Sequence, residues 1–384
     1  MKVTQQLYRN GQVALSKGDE IDGKNASLVL GFGAKNLLEN GNLYADLKEQ
    51  YPSADIVLSS TSGEIYNDTV YDDTLSVIVI EFERTSLKTV NINIKDAPGS
   101  YEAGELLFNQ LDSDDLAYVM IISDGGLVNG SQLVKGIEHA NTRNIPVSGG
   151  LAGDADQFNY TLVGCNAQPE RGNITAIGFY GKYLKIGHGS VGGWDIFGPE
   201  KQVTASSANR LSEIDNRAAL DLYKQYLGTY ADELPGSALL FPLFVRENEN
   251  SAGVVRTILS IEPDQKTMVF AGDIPVGSYI RFMKANFDKL VDAATHAATN
   301  TLVPFNVEPD DKPKLALLIS CVGRKLILGK RTEEEIEAVK DVFGDNTIIS
   351  GFYSYGEISP LTPSTRCELH NQTMTITTFN ETIL

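Results

Sequence analysis

"SGFYSYGEISP", residues 350–360, is the stretch whose reading decides the fold. A short apolar and aromatic run stops at a glycine followed by an acid. Two quieter versions come earlier, "SSTSGEI" at 59–65 and "SGGLAGDAD" at 148–156. Read backwards from each turn, the chain repeats one order. A short continuous apolar run, as expected of a strand buried on both faces, leads into a helical stretch and then a second short strand ending on the turn. From opening strand to acid the separation is 36 residues (Leu28 to Glu64), 36 (Tyr118 to Asp154) and 40 (Leu317 to Glu357), the size of a strand–helix–strand crossover. The third helix has the clearest signals, with Thr332 before three glutamates at its start and Gly344 as its C-cap. Two such units in the N-terminal half and one near the C-terminus predict an α/β protein. Its strand–helix–strand units build central sheets to which both ends of the chain contribute.

The turn glycines, Gly63, Gly153 and Gly356, suit a backbone at positive φ. The acids after them, Glu64, Asp154 and Glu357, can accept backbone N–H groups and fix the turns. The same turns are placed at the carboxyl ends of strands, where open α/β sheets bind ligands. Only the third copy is aromatic. Phe352, Tyr353 and Tyr355 exceed what a turn requires, which makes Tyr353, Tyr355 and Glu357 candidates for the wall of a pocket.

Different material separates the second and third units. Residues 187–204 are glycine-rich and hold the single tryptophan, Trp194. Residues 217–228 read as an amphipathic helix ending at Gly228. "VVRTILSIEPDQKTMVF" reads as a hairpin across "EPDQ", "ANFDKLVDAATHAATN" as a helix, and residues 303–314 as a Pro- and Asp-rich connection. Residues 366–379 alternate well enough for one terminal strand. We place two modules at 1–200 and 201–384.

With 32 basic against 50 acidic residues, a net charge of −18 argues against nucleic acid or an anionic membrane as partner. Cys165, Cys321 and Cys367 are far apart, odd in number and without zinc spacing, which suits a reducing compartment. The first residues lack the apolar core of a signal peptide, and runs such as "LALLIS" are too short to span a bilayer. A cytoplasmic protein is expected.

Taken in order, "SSTSGEI", "SGGLAGDADQFNYTLV", "GGWDIFGPEKQVT", "ALDLYKQYLG", "SCVGRKLILGKRTEEEIEAV", "GFYSYGEISP" and "HNQTMT" resemble the FIST proteins over nearly the whole chain, with both N-terminal and C-terminal modules. That resemblance implies a sensory module for small ligands, with amino acids proposed for the family. No kinase, receiver, cyclase or methyl-accepting segment is joined to it. It therefore looks like the stand-alone members that bind haem, sense nitric oxide and act on a partner histidine kinase. Homo-oligomerisation is left open.

Haem requires an axial ligand in an apolar pocket. His188 in "GHGS" is flanked by glycines that would let a planar group approach, with Trp194 and Phe197 close behind. His370, in "CELHNQT", is the other candidate. His139 and His296 lie on predicted helices among polar neighbours. An amino-acid ligand instead needs an acid, a cation and apolar walls. Glu357 with Tyr353 and Tyr355, and Arg256 or Arg281 for the carboxylate, would serve. Enzymatic signatures are weak. "LGFGAKN" lacks the third glycine of a dinucleotide turn, no phosphate-binding loop is present, and Leu151 and Ala152 occupy the elbow where a nucleophile would sit. The expectation is a non-enzymatic sensor that binds either haem or a small metabolite and signals by contact.

Overall fold

Each of the three apolar runs is a strand buried along almost its whole length, in a computed structural model that describes residues 1–248, 251–305, 312–360 and 366–382. Leu28–Gly33 pairs in parallel with Asp55–Ser60, Leu116–Ser123 with Val147–Leu151, and Leu315–Cys321 with Ile348–Ser354. The crossovers are helical: Lys35–Asn40 and Leu43–Gln50 in the first unit, Gly130–Ala140 in the second, Val322–Leu328 and Thr332–Phe343 in the third. Thr332 is the first helical residue rather than the cap, and its hydroxyl donates to Gly329 O at 2.6 Å. Gly344 ends that helix at φ 74°.

The units are not independent sheets. The strand after each Gly-acid turn leaves its own unit and pairs with the second strand of another. Glu64–Tyr66 joins Ile348–Ser354, Val163–Cys165 joins Asp55–Ser60, and Gly356–Pro360 joins Val147–Leu151. First lends to third, third to second and second to first, so the exchange closes into a ring. On the other side each opening strand has an antiparallel neighbour from later in its unit: Leu75–Glu81, Asn173–Tyr180 or Met374–Glu381. Outside these lie Lys2–Arg9, Ser86–Asn93 and Leu184–Val191, each preceding its unit in sequence.

A central core draws Leu30, Phe32, Met120, Ile122, Leu317 and Phe352 from all three sheets. Three outer clusters cover the opposite faces with helices. Burial on both faces is why the strands read as unbroken apolar runs.

Strands between residues 195 and 284 form a separate antiparallel sheet of eight strands, with the helix Ala219–Leu227 packed on it. This sheet includes the expected hairpin, Ile258–Glu262 against Thr267–Phe270. It is inserted between two parts of the third unit, Leu184–Val191 and the helix Phe287–Asn300. A cut at residue 200 therefore falls inside a strand, Asp195–Ser207. Residues 366–379 are two strands, Cys367–His370 and one beginning at Met374, broken at Gln372, whose φ is 62°. Half of the connection expected at 303–314, residues 306–311, lies outside the described residues.

Candidate functional site

The three Gly-acid turns meet at one end of the ring, beyond the carboxyl ends of the parallel strands. Backbone bonds interlock them cyclically: Ser62 N–H donates to Tyr353 O, Gly153 N–H to Ser60 O, and Tyr355 N–H to Leu151 O. Only Gly63 uses the left-handed region, at φ 139°. Gly153 is required for close approach instead, since a Cβ there would sit 2.3 Å from Ser62 Oγ.

This geometry accounts for "SGFYSYGE" residue by residue. Phe352 stacks on Phe32 in the central core, with ring centroids 4.6 Å apart. Tyr353 is fully buried and its hydroxyl donates to Glu335 Oε1 at 2.7 Å. Ser354 donates to Glu357 at 2.7 Å, and Glu357 also accepts the N–H and hydroxyl of Thr373. Glu64 repeats the arrangement with Thr61 three residues before it, and with the N–H and hydroxyl of Thr74. Burial pushes Glu357 up to about 8 and Glu64 up to about 7, against the opposing effect of these bonds. Tyr353 and Glu357 thus do not line a pocket: the tyrosine spans to a helix, and the acid fastens its own turn. Tyr353→Phe removes one of two hydroxyl donors to Glu335 Oε1, the other being Ser320. We expect a loss of about 1.5–3 kcal/mol, read by urea denaturation.

Tyr355 is different. It is half-buried, stacks on Phe158 (4.8 Å between centroids) and donates to Asp154. Asp154 also receives Lys35 Nζ at 2.9 Å and the N–H groups of Asn159 and Tyr160. Burial works upward on its carboxyl, but these donors outweigh it and hold it below the ordinary carboxylate value.

Two of the three units send a lysine across to a neighbour's turn. Lys35 of the first reaches Asp154 in the second. Lys325 of the third reaches Ser62 O in the first, at 2.8 Å, and pairs with Asp72. Between them lies a cavity of about 560 Å3 whose charged walls include Lys35, Lys325, Asp72, Asp73, Asp154 and Asp156. The corresponding stretch of the second unit carries Gly125 and Gly126. A Cβ at Gly125 would lie 2.1 Å from Ala152 O and 3.1 Å from the Tyr355 ring. Here a cavity of about 720 Å3 opens between the ring and the inserted sheet, with Tyr355 and Phe158 among its walls.

The histidines separate cleanly. His188 lies on the strand Leu184–Val191, not in a loop. Its flanking glycines serve helix packing: a Cβ at Gly187 would lie 1.8 Å from Thr301 O, and one at Gly189 2.0 Å from Ala297 O. The imidazole is buried and lines a third cavity of about 350 Å3, together with Leu184, Ile186, Ile145, Cys367 and Arg366. Its Nε2 has no partner, and Nδ1 lies 3.4 Å from Thr377 Oγ1. Thr377 continues through Ser148 (2.7 Å) to the Tyr118 hydroxyl (2.6 Å). Burial lowers His188 to about 4, so the ring is neutral at pH 7. His370 is buried, with Nε2 2.8 Å from Ser359 O, the geometry of a satisfied core histidine.

The remaining candidates do not converge. Trp194 donates its Nε1–H to Gln372 O at 2.9 Å. Arg256 is buried and donates to Leu369 O at 2.8 Å, tying the inserted sheet to the ring. Arg281 lies mid-sheet, paired in register with Phe244. None of them meets Glu357, so the amino-acid site expected from these residues is not assembled. Sequence reading missed Lys35 and Lys325. Each follows an opening strand by a few residues, and aligning the units beyond their first strands would have singled them out.

Residues 27–217 match the FIST N domain and residues 219–360 the FIST C domain. No curated protein matches the chain. Among solved structures, a cyanuric acid hydrolase from A. caulinodans aligns over 94% of this chain and 92% of its own, at 8% identity and a TM-score of 0.41. That likeness is too low to support a conclusion about activity.

Proposed function

This chain belongs to the FIST family, carrying both of its domains, and from that membership we propose a non-enzymatic cytoplasmic sensor that binds haem, responds to nitric oxide and acts on a partner histidine kinase. FIST domains are associated with small-ligand sensing in signal transduction. No helix among the described residues is long and apolar enough to cross a membrane. The haem reading rests on one observation, the buried and unpartnered Nε2 of His188 beside a cavity. The residues present suit the group: His188 would hold it, Leu184 and Ile186 would form its apolar wall, and Arg366 would supply a cation for an acidic edge. The group would supply an iron centre able to take nitric oxide. The chain from Tyr118 through Ser148 to Thr377 fixes the imidazole by its other nitrogen. Ligand binding would favour one conformer and shift the population presented to the kinase.

Haemin titrated into purified protein is expected to give a single sharp Soret band. The ferrous form should shift on addition of nitric oxide. His188→Ala should abolish the band, while His139→Ala, at an exposed helix position, should leave it unchanged. Absence of a Soret band in the parent would remove the haem reading, and an unaltered spectrum in His188→Ala would remove His188 as the ligand.

The charged cavity favours a second reading, an amino-acid receptor. There Lys35 or Lys325 could meet a carboxylate, and Asp72 or Asp154 an ammonium. Calorimetric titration with a panel of amino acids tests it. Saturable heat that Lys35→Met reduces at least tenfold supports this reading, and no heat from any of them removes it.

A further inference from the structure

The widest of these three cavities, about 720 Å3, differs chemically from the other two. No charged side chain among the described residues lines it. One wall comes from the ring: the Gly125–Gly126 stretch, Leu151 and the stacked pair Phe158 and Tyr355. The other comes from the inserted sheet: Thr257, Ile258, Leu259 and Phe270. Leu127, Phe158 and Leu259 are about half exposed at its margin, at 54%, 52% and 49%. One polar atom stands out. Thr257 is 5% exposed, yet its Oγ1 has no hydrogen-bond partner.

We propose that this cavity is a second ligand site, for an uncharged aromatic molecule carrying at least one hydrogen-bonding group. Its volume falls within the range of small-molecule sites. A charged ligand is disfavoured, because a carboxylate or ammonium moved between these walls loses its hydration and finds no counter-charge. The Phe158–Tyr355 face offers stacking. The Thr257 hydroxyl, otherwise an unsatisfied buried group, supplies the directional contact. Gly125, Gly126 and Gly323 leave its edge on the ring side without long side chains. A molecule held there touches both the ring and the inserted sheet, so it stabilises one spacing of the two. The site does not involve His188, and it adjoins the charged cavity through the bond from Tyr355 to Asp154.

The test uses two probes with one aromatic frame, N-phenyl-1-naphthylamine and its 8-sulfonate. With the intact protein, the neutral amine is expected to bind saturably at one site per chain with enhanced fluorescence, at least tenfold tighter than the sulfonate. Phe158→Ala removes a half-exposed ring, and Thr257→Val removes an unbonded hydroxyl while keeping side-chain shape. Both should melt within about two degrees of the parent and weaken the amine at least fivefold. No saturable binding of the amine would overturn the proposal. So would equal or tighter binding of the sulfonate, or parental affinity in both variants.

Discussion

Replacing Arg324 by Met is expected to remove about 3–5 kcal/mol of stability, the usual result of stripping one partner from a buried ion pair. Arg324 and Glu335 are both fully buried, with Nη2 2.8 Å and Nε 3.0 Å from the same carboxylate oxygen. The guanidinium also donates to Gly192 O and to Leu290 O, each at 2.7 Å. Gly192 stands just before the inserted sheet and Leu290 just after it. One side chain therefore fastens both crossings between ring and insertion. In Arg324→Met the Glu335 carboxylate keeps Ser320 and Tyr353 but loses its only cationic partner among the described residues. The melting temperature should fall by roughly 4–6 °C. Adding Glu335→Leu removes the stranded charge and should recover part of the loss. Recovery should stop short of the parent, because the two carbonyls remain without their donor. A loss below about 1 kcal/mol in the single variant would show that the pair does not hold these crossings together.

That arginine marks the boundary between what the sequence displayed and what it hid. The three units were legible because strands buried on both faces must be apolar throughout, and because each ends on a glycine and an acid. Participation of both chain ends in the sheets followed from the placement of the units. The cyclic exchange was not legible, since Glu64–Tyr66, Val163–Cys165 and Gly356–Pro360 are too short to announce their partners. The aromatic turn was misread for a related reason. Tyr353 looked like a ligand contact, but its partner, Glu335, lies 18 residues earlier on a helix where a glutamate ordinarily faces water. Arg256 looked like a cation for a ligand's carboxylate, yet its carbonyl acceptor on Leu369 is 113 residues away. Hydrogen bonds that span such distances leave no local pattern. His188 was singled out by its glycines, although those glycines serve the approach of the helix Phe287–Asn300 rather than of a ligand.

Between pH 6.5 and 8 the protein is expected to lose about 1.5–2 kcal/mol of stability, with Glu357 the main cause. Its carboxyl is pushed up to about 8 in the folded protein by burial, from an ordinary value of 4.5. A group with a raised folded pKa contributes fully below its unfolded pKa, and that contribution is lost as pH rises through the folded value. Glu64, raised to about 7 by burial, acts in the same direction but finishes sooner. The buried histidines act oppositely. Burial lowers both His188 and His370 to about 4, so they add stability as pH rises from about 4 to 6.5. Below pH 6.5 the two effects oppose each other. Above it the unfolded-state histidines, half protonated at their ordinary value of 6.5, finish titrating and return roughly 0.8 kcal/mol, while the carboxyls carry the larger, opposite change. From pH 6.5 Glu357 has about 1.5 pH units left and Glu64 about 0.5, at about 1.4 kcal/mol per unit. Glu357→Gln keeps an oxygen to accept the Thr373 N–H and carries no proton to lose. Urea unfolding at pH 6.5, 7.2 and 8 should give the variant a slope below about 1 kcal/mol across the range. At pH 8 it should be at least as stable as the parent. A parent whose stability is flat over this range would show that Glu357 ionises in its turn without cost. A variant that keeps the full slope would assign the titration to another group. Either result would separate the fastening of the third turn from the proton this buried acid holds.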